Sequence, residues 1–239
     1  MEEQAILKVL VAAGIDSRRR LAEAIKQGRV VLNRQVVSDF RQAVKASDAI
    51  LIDGQRIKLK VEAKIYIMLN KPVGILSAST DERGGKTAID ILPTKYRKLR
   101  LYPAGRLDKD SSGLLLLTND GEFTYQLTHP RYQRHKEYLV YIKTELTAND
   151  IARLEKGVVL EDGLTAPANV KAVSQAPYNY SITIHEGRKR QVRRMLAALG
   201  HQVVELKRVR LGSLWLGGLR EGEVRAMSVG EAGKALNNP

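Results

Sequence analysis

The chain has 239 residues and 44% hydrophobic content, enough for a sizeable core arranged as one large domain or as a large and a small one. Forty Lys and Arg against 26 Asp and Glu leave a formal charge of +14, which points to a polyanionic partner, nucleic acid before all others. Without cysteine there are no disulfides, thiolate zinc sites or thiol nucleophiles; with no apolar run near the ~20 residues of a membrane span and no basic leader in Met1-Glu2-Glu3-Gln4, a soluble, cytoplasmic protein is expected.

The first sixty residues read as a separate module. Ile6, Val9, Leu10 and Ala13 recur at helical spacing, and Gly14 offers a left-handed end. Ser17 then caps a second helix, "RRRLAEAIKQG", which Gly28 closes. Its first turn holds Arg18, Arg19 and Arg20, which oppose the helix dipole unless an anion neutralises them, so phosphate is expected there. "RVVLNRQVV" predicts a short hairpin, and "DAILIDGQRIKL" predicts further strand around an Asp53-Gly54 turn. The polar stretch "KLKVEAK" marks a linker, with a domain boundary near residue 62.

Beyond it, "IYIMLNKPVG" predicts a buried strand ending at Pro72 and Gly74, followed by the polar loop "STDERGGKT". "SGLLLLTND" predicts a central strand, with Asp120-Gly121 as a turn. "KEYLVYIK" alternates as a strand, "TAND" has the form of a capping box before "IARLEKG", and "NYSITIHEG" is a further strand. Gly187 leads into the helix "RKRQVRRMLAALG", and "HQVVELKRVRLGSLWLGGL" returns as strands and turns. Residues 231–239 read as a disordered tail. Strands outnumber helices and are often hairpin-linked, which predicts an α+β class: a mixed, largely antiparallel sheet with flanking helices, plus the small N-terminal module. The domains are therefore 1–61, 62–230 and the tail.

The basic residues cluster. Arg188, Lys189, Arg190, Arg193, Arg194, Lys207, Arg208 and Arg210 face a single acid, Glu205, in that interval. Aromatic content is only 5%, so backbone capture is favoured over extended base stacking. His129, His135, His185 and His201 have no metal-like spacing, and no metal is expected. Ser111-Ser112-Gly113 lacks the strand-Ser-helix context of a hydrolase elbow. Asp108 stands at the mouth of the apolar strand, two residues after Arg106. A carboxylate there needs a cation to stay ionised, and reads either as a catalytic group or as half of a structural salt bridge.

"AAGIDSRRRLAEAIKQGRVVLN" resembles the small RNA-binding module named after ribosomal protein S-four, with Asn33-Arg34 where that family usually has Asn-Gly. "NKPVG", "GRLDKDSSGLLLLTNDG", "KEYLV", "EGRKRQVRRMLAALGH" and "LKRVRLGSLWLGGLREGEVR", in that order, resemble the pseudouridine synthase family that includes the RsuA and RluB ribosomal-RNA enzymes. The resemblance implies an isomerase acting on uridine in ribosomal RNA or an assembling ribosomal subunit, as a monomer and without a cofactor. It places the family's aspartate on Asp108, the preceding arginine on Arg106, the active-site tyrosine on Tyr138 and the basic partner of the aspartate on Arg193, with Arg190 and Arg194 as neighbours one slip away. Leu196 matches the apolar residue lining the uracil pocket, and Asp110 is implied to be a replaceable decoy. The subunit leans to the large one. A base-excising glycosylase and a non-catalytic RNA-binding assembly factor are the competing classes.

Overall fold

The computed structural model describes residues 4–45, 47–59 and 63–239, which fall into two compact units, 1–64 and 65–239. The boundary expected near residue 62 lies outside the described residues.

In the N-terminal unit the helices Ile6–Ala12 and Arg18–Lys26 bury Ile6, Leu10, Leu21 and Ile25 against a four-stranded sheet through Val30, Leu32 and Ile50. Ser17 caps the second helix by accepting from the Arg20 backbone N–H at 3.2 Å. Arg34, a poor candidate for positive φ, nevertheless has φ 70° beside Asn33 at 49°. The two-residue turn is held from outside: the Asn33 side chain donates to Asp48 and accepts from the Ala49 N–H, both at 2.9 Å. Those bonds take the place of the missing glycine's conformational freedom.

The larger unit is built on a nine-stranded, almost wholly antiparallel sheet whose centre is Val203–Leu211, Ser112–Thr118 and Tyr66–Lys71, in that order. Lys136–Ile142 flanks Val203–Leu211 on the far side. Every residue of Ser112–Thr118 is buried, because both faces of the sheet are covered. Leu115 and Leu117 enter the core with Leu154, Val192, Met195 and Leu196 from helices on one face. Leu114 and Leu116 enter a second core with Phe123, Leu127, Ala232 and Ala235 on the other. An unbroken leucine run in place of an alternating one is what burial on two faces requires.

Three expectations are corrected. Asp120 is the N-cap of a helix, Gly121–Thr128, rather than part of a hairpin turn; its carboxylate accepts from the Glu122 and Phe123 N–H groups. The helix expected from Arg188 begins at Gln191, since Arg190 takes a left-handed φ of 53°. The tail is ordered: Val229–Gly233 is helical, Ser228 caps it, and Ala232 and Ala235 are fully buried over the second core. Among the described residues no helix is long and apolar enough to cross a membrane.

The pairing of Ser112–Thr118 with Val203–Leu211 is parallel, placing Arg208 opposite Gly113. Gly113 has φ 106°, and a Cβ there would lie 2.2 Å from the Arg208 carbonyl oxygen. No side chain fits without prising these strands apart. Gly113→Ala is accordingly expected to destabilise the larger unit by about 3 kcal/mol or more, read as a fall in its urea midpoint at unchanged m-value.

Candidate active site

Asp108 lies on the loop that leads into the central strand, and each backbone carbonyl of that loop from Arg106 to Asp110 is engaged. Arg106 O accepts from Arg208 Nη1 at 3.3 Å, and Leu107 O from Ser77 Oγ at 2.9 Å. Asp108 O accepts from the Ser111 N–H at 3.1 Å and Lys109 O from the Gly74 N–H at 2.8 Å. Asp110 O accepts from Arg193 Nη2 at 2.7 Å. The Leu107 N–H also donates back to Ser77 Oγ at 3.0 Å. A loop held this completely presents its side chains in one geometry, as a reacting group demands.

Two nearby cations, Lys71 and Arg208, are buried. Lys71 donates to Pro72 O and Ile75 O at 2.8 and 2.9 Å; burial lowers its pKa to about 8, with Glu221 opposing the shift and the Arg208 cation adding to it. Arg208, 3% exposed, donates its Nε to Leu114 O at 2.9 Å. Arg193 spans from Asp110 O to Val203 O at 3.0 Å.

Asp108 and Tyr138 line one cavity of about 440 Å³, within the range of roughly 300–1,000 Å³ usual for ligand sites. Sheet register brings them together: Tyr138 is opposite Arg208, which is opposite Gly113, five residues beyond Asp108. Arg106, exposed, and Arg190 line the same cavity. So does Lys136, whose Nζ donates to Arg134 O at 3.0 Å; burial, then the Arg208 charge, lower its pKa to about 8. The half-buried Asp108 carboxylate makes no hydrogen bond or ion pair among the described residues, which leaves it available to a substrate.

The arginines are distributed differently from the sequence expectation. Arg193 contacts Asp110, not Asp108: its Nε lies 3.4 Å from the Asp110 carboxylate. Arg190 makes a two-pronged pair with the same carboxylate at 2.9 and 2.7 Å, and that bond, 80 residues away in sequence, accompanies the left-handed backbone that delays the helix. Arg194 is turned away to Asp162 at 3.0 Å and holds that carboxyl down at about 2. Asp110 is therefore the anchor of two arginines. The Arg190 hydrogen bonds, ahead of the Arg193 charge, lower its pKa.

Leu196 is also reassigned. It is fully buried in the core, and the residues of its helix that face the cavity are Gln191 and Val192. Val192 and Leu196, one turn apart, share a helix face, and the cavity reaches only the Val192 turn. Ser111, set aside as a nucleophile, lines the cavity with a buried hydroxyl that has no partner among the described residues. An orphaned buried hydroxyl beside an open carboxylate is a ready substrate contact. The roles of Ser77 and Gly74 carry no local signal, because each is set by bonds to the loop some thirty residues away in the chain. In the separate N-terminal unit Arg18, Arg19 and Arg20 are exposed on the first turn of their helix, Arg20 3.7 Å from Asp16.

A fixed carboxylate open to a cavity rimmed with basic side chains describes an enzyme for an anionic polymer, and the N-terminal fold describes a module that holds one. Comparison with known proteins agrees. The model for RNA pseudouridylate synthase matches residues 65–198, and that for the S4 domain matches residues 6–50. The chain is 44% identical over 225 residues to the ribosomal large subunit pseudouridine synthase B of Bacillus subtilis, covering 92% of this chain and 91% of the relative. It is 39% identical over 234 residues to an uncharacterized RNA pseudouridine synthase of Aquifex aeolicus, covering 97% and 93%. A crystal structure of a pseudouridylate synthase, 32% identical, superimposes with a TM-score of 0.70 over 97% of this chain and 99% of that one. The chain belongs to the RNA pseudouridylate synthase family and is an isomerase that acts on RNA.

Asp110→Ala frees Arg190 and removes the carboxylate beside Arg193 Nε, which should loosen the loop that holds Asp108. Single-turnover pseudouridine formation is expected to fall on the order of ten- to a hundred-fold. The melting temperature should change little, since the Asp110 carboxylate is 43% exposed and such a pair contributes about 1 kcal/mol or less.

Proposed function

We propose that this protein converts a specific uridine of ribosomal RNA to pseudouridine, with large-subunit RNA, free or in an assembling particle, as the substrate. It acts in the cytoplasm as a monomer and draws on no cofactor. The observation that carries the reading is the Asp108 carboxylate, unbonded within a locked loop and sharing a cavity with the Tyr138 ring. The two relatives named above, one of them a large-subunit enzyme by name, support the choice of RNA.

The reaction breaks the bond from ribose carbon 1 to uracil nitrogen 1, turns the base, and joins carbon 1 to carbon 5. The proton leaves carbon 5 and nitrogen 1 ends protonated, so atoms and charge balance without redox chemistry. Asp108 supplies the carboxylate that attacks the sugar or ring, or takes the ribose proton. Tyr138 packs against the base, and its phenol is placed to assist removal of the carbon 5 proton. Ser111 offers its free hydroxyl to the nucleotide, and Arg190 and Lys136 place positive charge on the cavity wall, where phosphates pass. The uridine must leave its stack to enter, which costs a few kcal/mol and least for an unpaired base. Arg106, exposed at the rim, is the residue to fill the gap or grip the backbone. The glycosylase alternative predicts free uracil as product.

An Asp108→Asn protein should bind ribosomal RNA as the unaltered protein does, while pseudouridine formation drops by about three orders of magnitude or more. In cells lacking the protein, one large-subunit pseudouridine should disappear, return with the unaltered protein and fail to return with Asp108→Asn. Full restoration by the variant would refute the role of Asp108, and loss from small-subunit RNA would move the substrate.

Arg18, Arg19 and Arg20 are assigned to RNA phosphates. Replacing the three with Gln should weaken binding alike across sequences and lower the slope of log K against log salt by about 1 for each phosphate that is no longer neutralised, measured by RNA-binding titrations at several salt concentrations.

A further inference from the structure

Next to the cavity the chain exposes an aromatic and cationic cluster that the isomerisation does not use. It is built from the helix Gly121–Thr128 and the short turn Pro130–Tyr132. The Tyr125 and His129 rings lie 4.8 Å apart, and Tyr132 is edge-on to Tyr125 at 6.0 Å. The Arg131 guanidinium sits over both tyrosines, 5.0 Å from Tyr125 and 4.5 Å from Tyr132, and Arg134 sits 5.2 Å from the Tyr132 ring. Tyr125 is 40% exposed, and His129 and Arg131 are exposed too, so burial in the core does not account for the grouping. The chain is only 5% aromatic, which makes three rings within one turn and a helix end a local concentration.

Two features point to the occupant. Arg131 and Arg134 form no ion pair with a carboxylate among the described residues, Arg131 donating to the Tyr132 hydroxyl and Arg134 to Gln126 O at 3.2 Å, whereas Arg190, Arg193 and Arg194 pair with Asp110 and Asp162. The cluster is also continuous with the cavity, whose wall includes His129, Pro130 and Arg134 as well as Asp108. Flat rings beside guanidinium groups that no carboxylate neutralises match single-stranded RNA, with its stacking bases and spaced phosphates.

We propose that this cluster is a stacking platform for an unpaired base neighbouring the target uridine, with Arg131 and Arg134 taking the adjoining phosphates. The base rests on the exposed Tyr125 ring, with the half-buried Tyr132 behind it, as the uridine turns into the cavity. The platform thus limits the substrate to RNA that is unpaired beside its target, a restriction the cavity alone does not impose. This deepens the proposed function, since it takes the neighbouring cavity as the uridine site.

The test uses the full chain and two probes of equal length and charge: an oligoadenylate, which the uridine cavity does not recognise, and an abasic ribose-phosphate chain. The unaltered protein should bind the oligoadenylate about ten-fold more tightly, the scale of stacking one base on an aromatic side chain. Tyr125→Leu and Tyr132→Leu should remove that preference while leaving affinity for the abasic chain unchanged; Tyr125→Phe and Tyr132→Phe, which keep the rings, should retain it. Arg131→Gln should weaken both probes and lower the salt slope. Equal binding of the two probes by the unaltered protein, or a preference that survives both leucine variants, would overturn the platform. Failure of the unaltered enzyme to form pseudouridine would overturn the cavity reading instead, and the oligoadenylate comparison does not depend on that result.

Discussion

The candidate active site hangs on one close contact, the parallel apposition of Gly113 and Arg208 at the centre of the sheet. Because residue 113 has no side chain, the Arg208 backbone approaches closely enough to pair there. The Arg208 guanidinium then bonds carbonyls on both sides of that point, Leu114 O within the strand and Arg106 O in the loop before it. A buried guanidinium is costly unless its donors find acceptors, so its position and that of the loop are coupled. Ser77, the Gly74 amide and Arg193 complete the clamp from other segments. Asp108 is held through its backbone, which leaves its carboxylate free.

This arrangement gives the excess positive charge two distinct uses. Between residues 188 and 210 the arginines are largely committed inside the protein: Arg188, Arg190 and Arg194 to carboxylates, Arg193 to a carboxylate and two carbonyls, Arg208 to carbonyls, and Arg210 to Glu137 at 2.6 Å. They stiffen the cavity wall and the strands behind it. The cations best placed for RNA are those that no carboxylate neutralises among the described residues, with Arg106, Arg131 and Arg134 at or beside the cavity. A dense basic stretch in sequence is thus partly scaffold, and the contrast follows from solvation: a buried guanidinium takes most of its partners from within the protein, whereas an exposed one can wait for a phosphate.

Much of the fold was legible in local pattern. The capping box Thr147–Asp150, the Ser17 cap, the Asp53-Gly54 turn and the leucine run of the central strand each carry their signal within a few residues, and each forms. Patterns whose stability comes from elsewhere were missed. The terminal helix has a local Ser228 cap but is short and rich in glycine, and its hold comes from Ala232 and Ala235 filling the second core and the chain backing onto Gly212. The late start of the Gln191–Ala197 helix accompanies Arg190 reaching Asp110, whereas the hairpin at Asn33-Arg34 was legible and gains its hold from Asn33 reaching Asp48 and Ala49.

The same division runs through the site. Residue type, spacing and the family's ordered motifs are properties of short segments, and they were enough for the α+β class, the basic character and Asp108 as the candidate carboxylate. Which arginine meets which aspartate, which face of a helix lines the cavity, and which backbone atoms lock the loop were decided only by tertiary structure. Those are contacts between segments far apart in the chain, and their energies depend on distances of a few ångströms that no local pattern encodes.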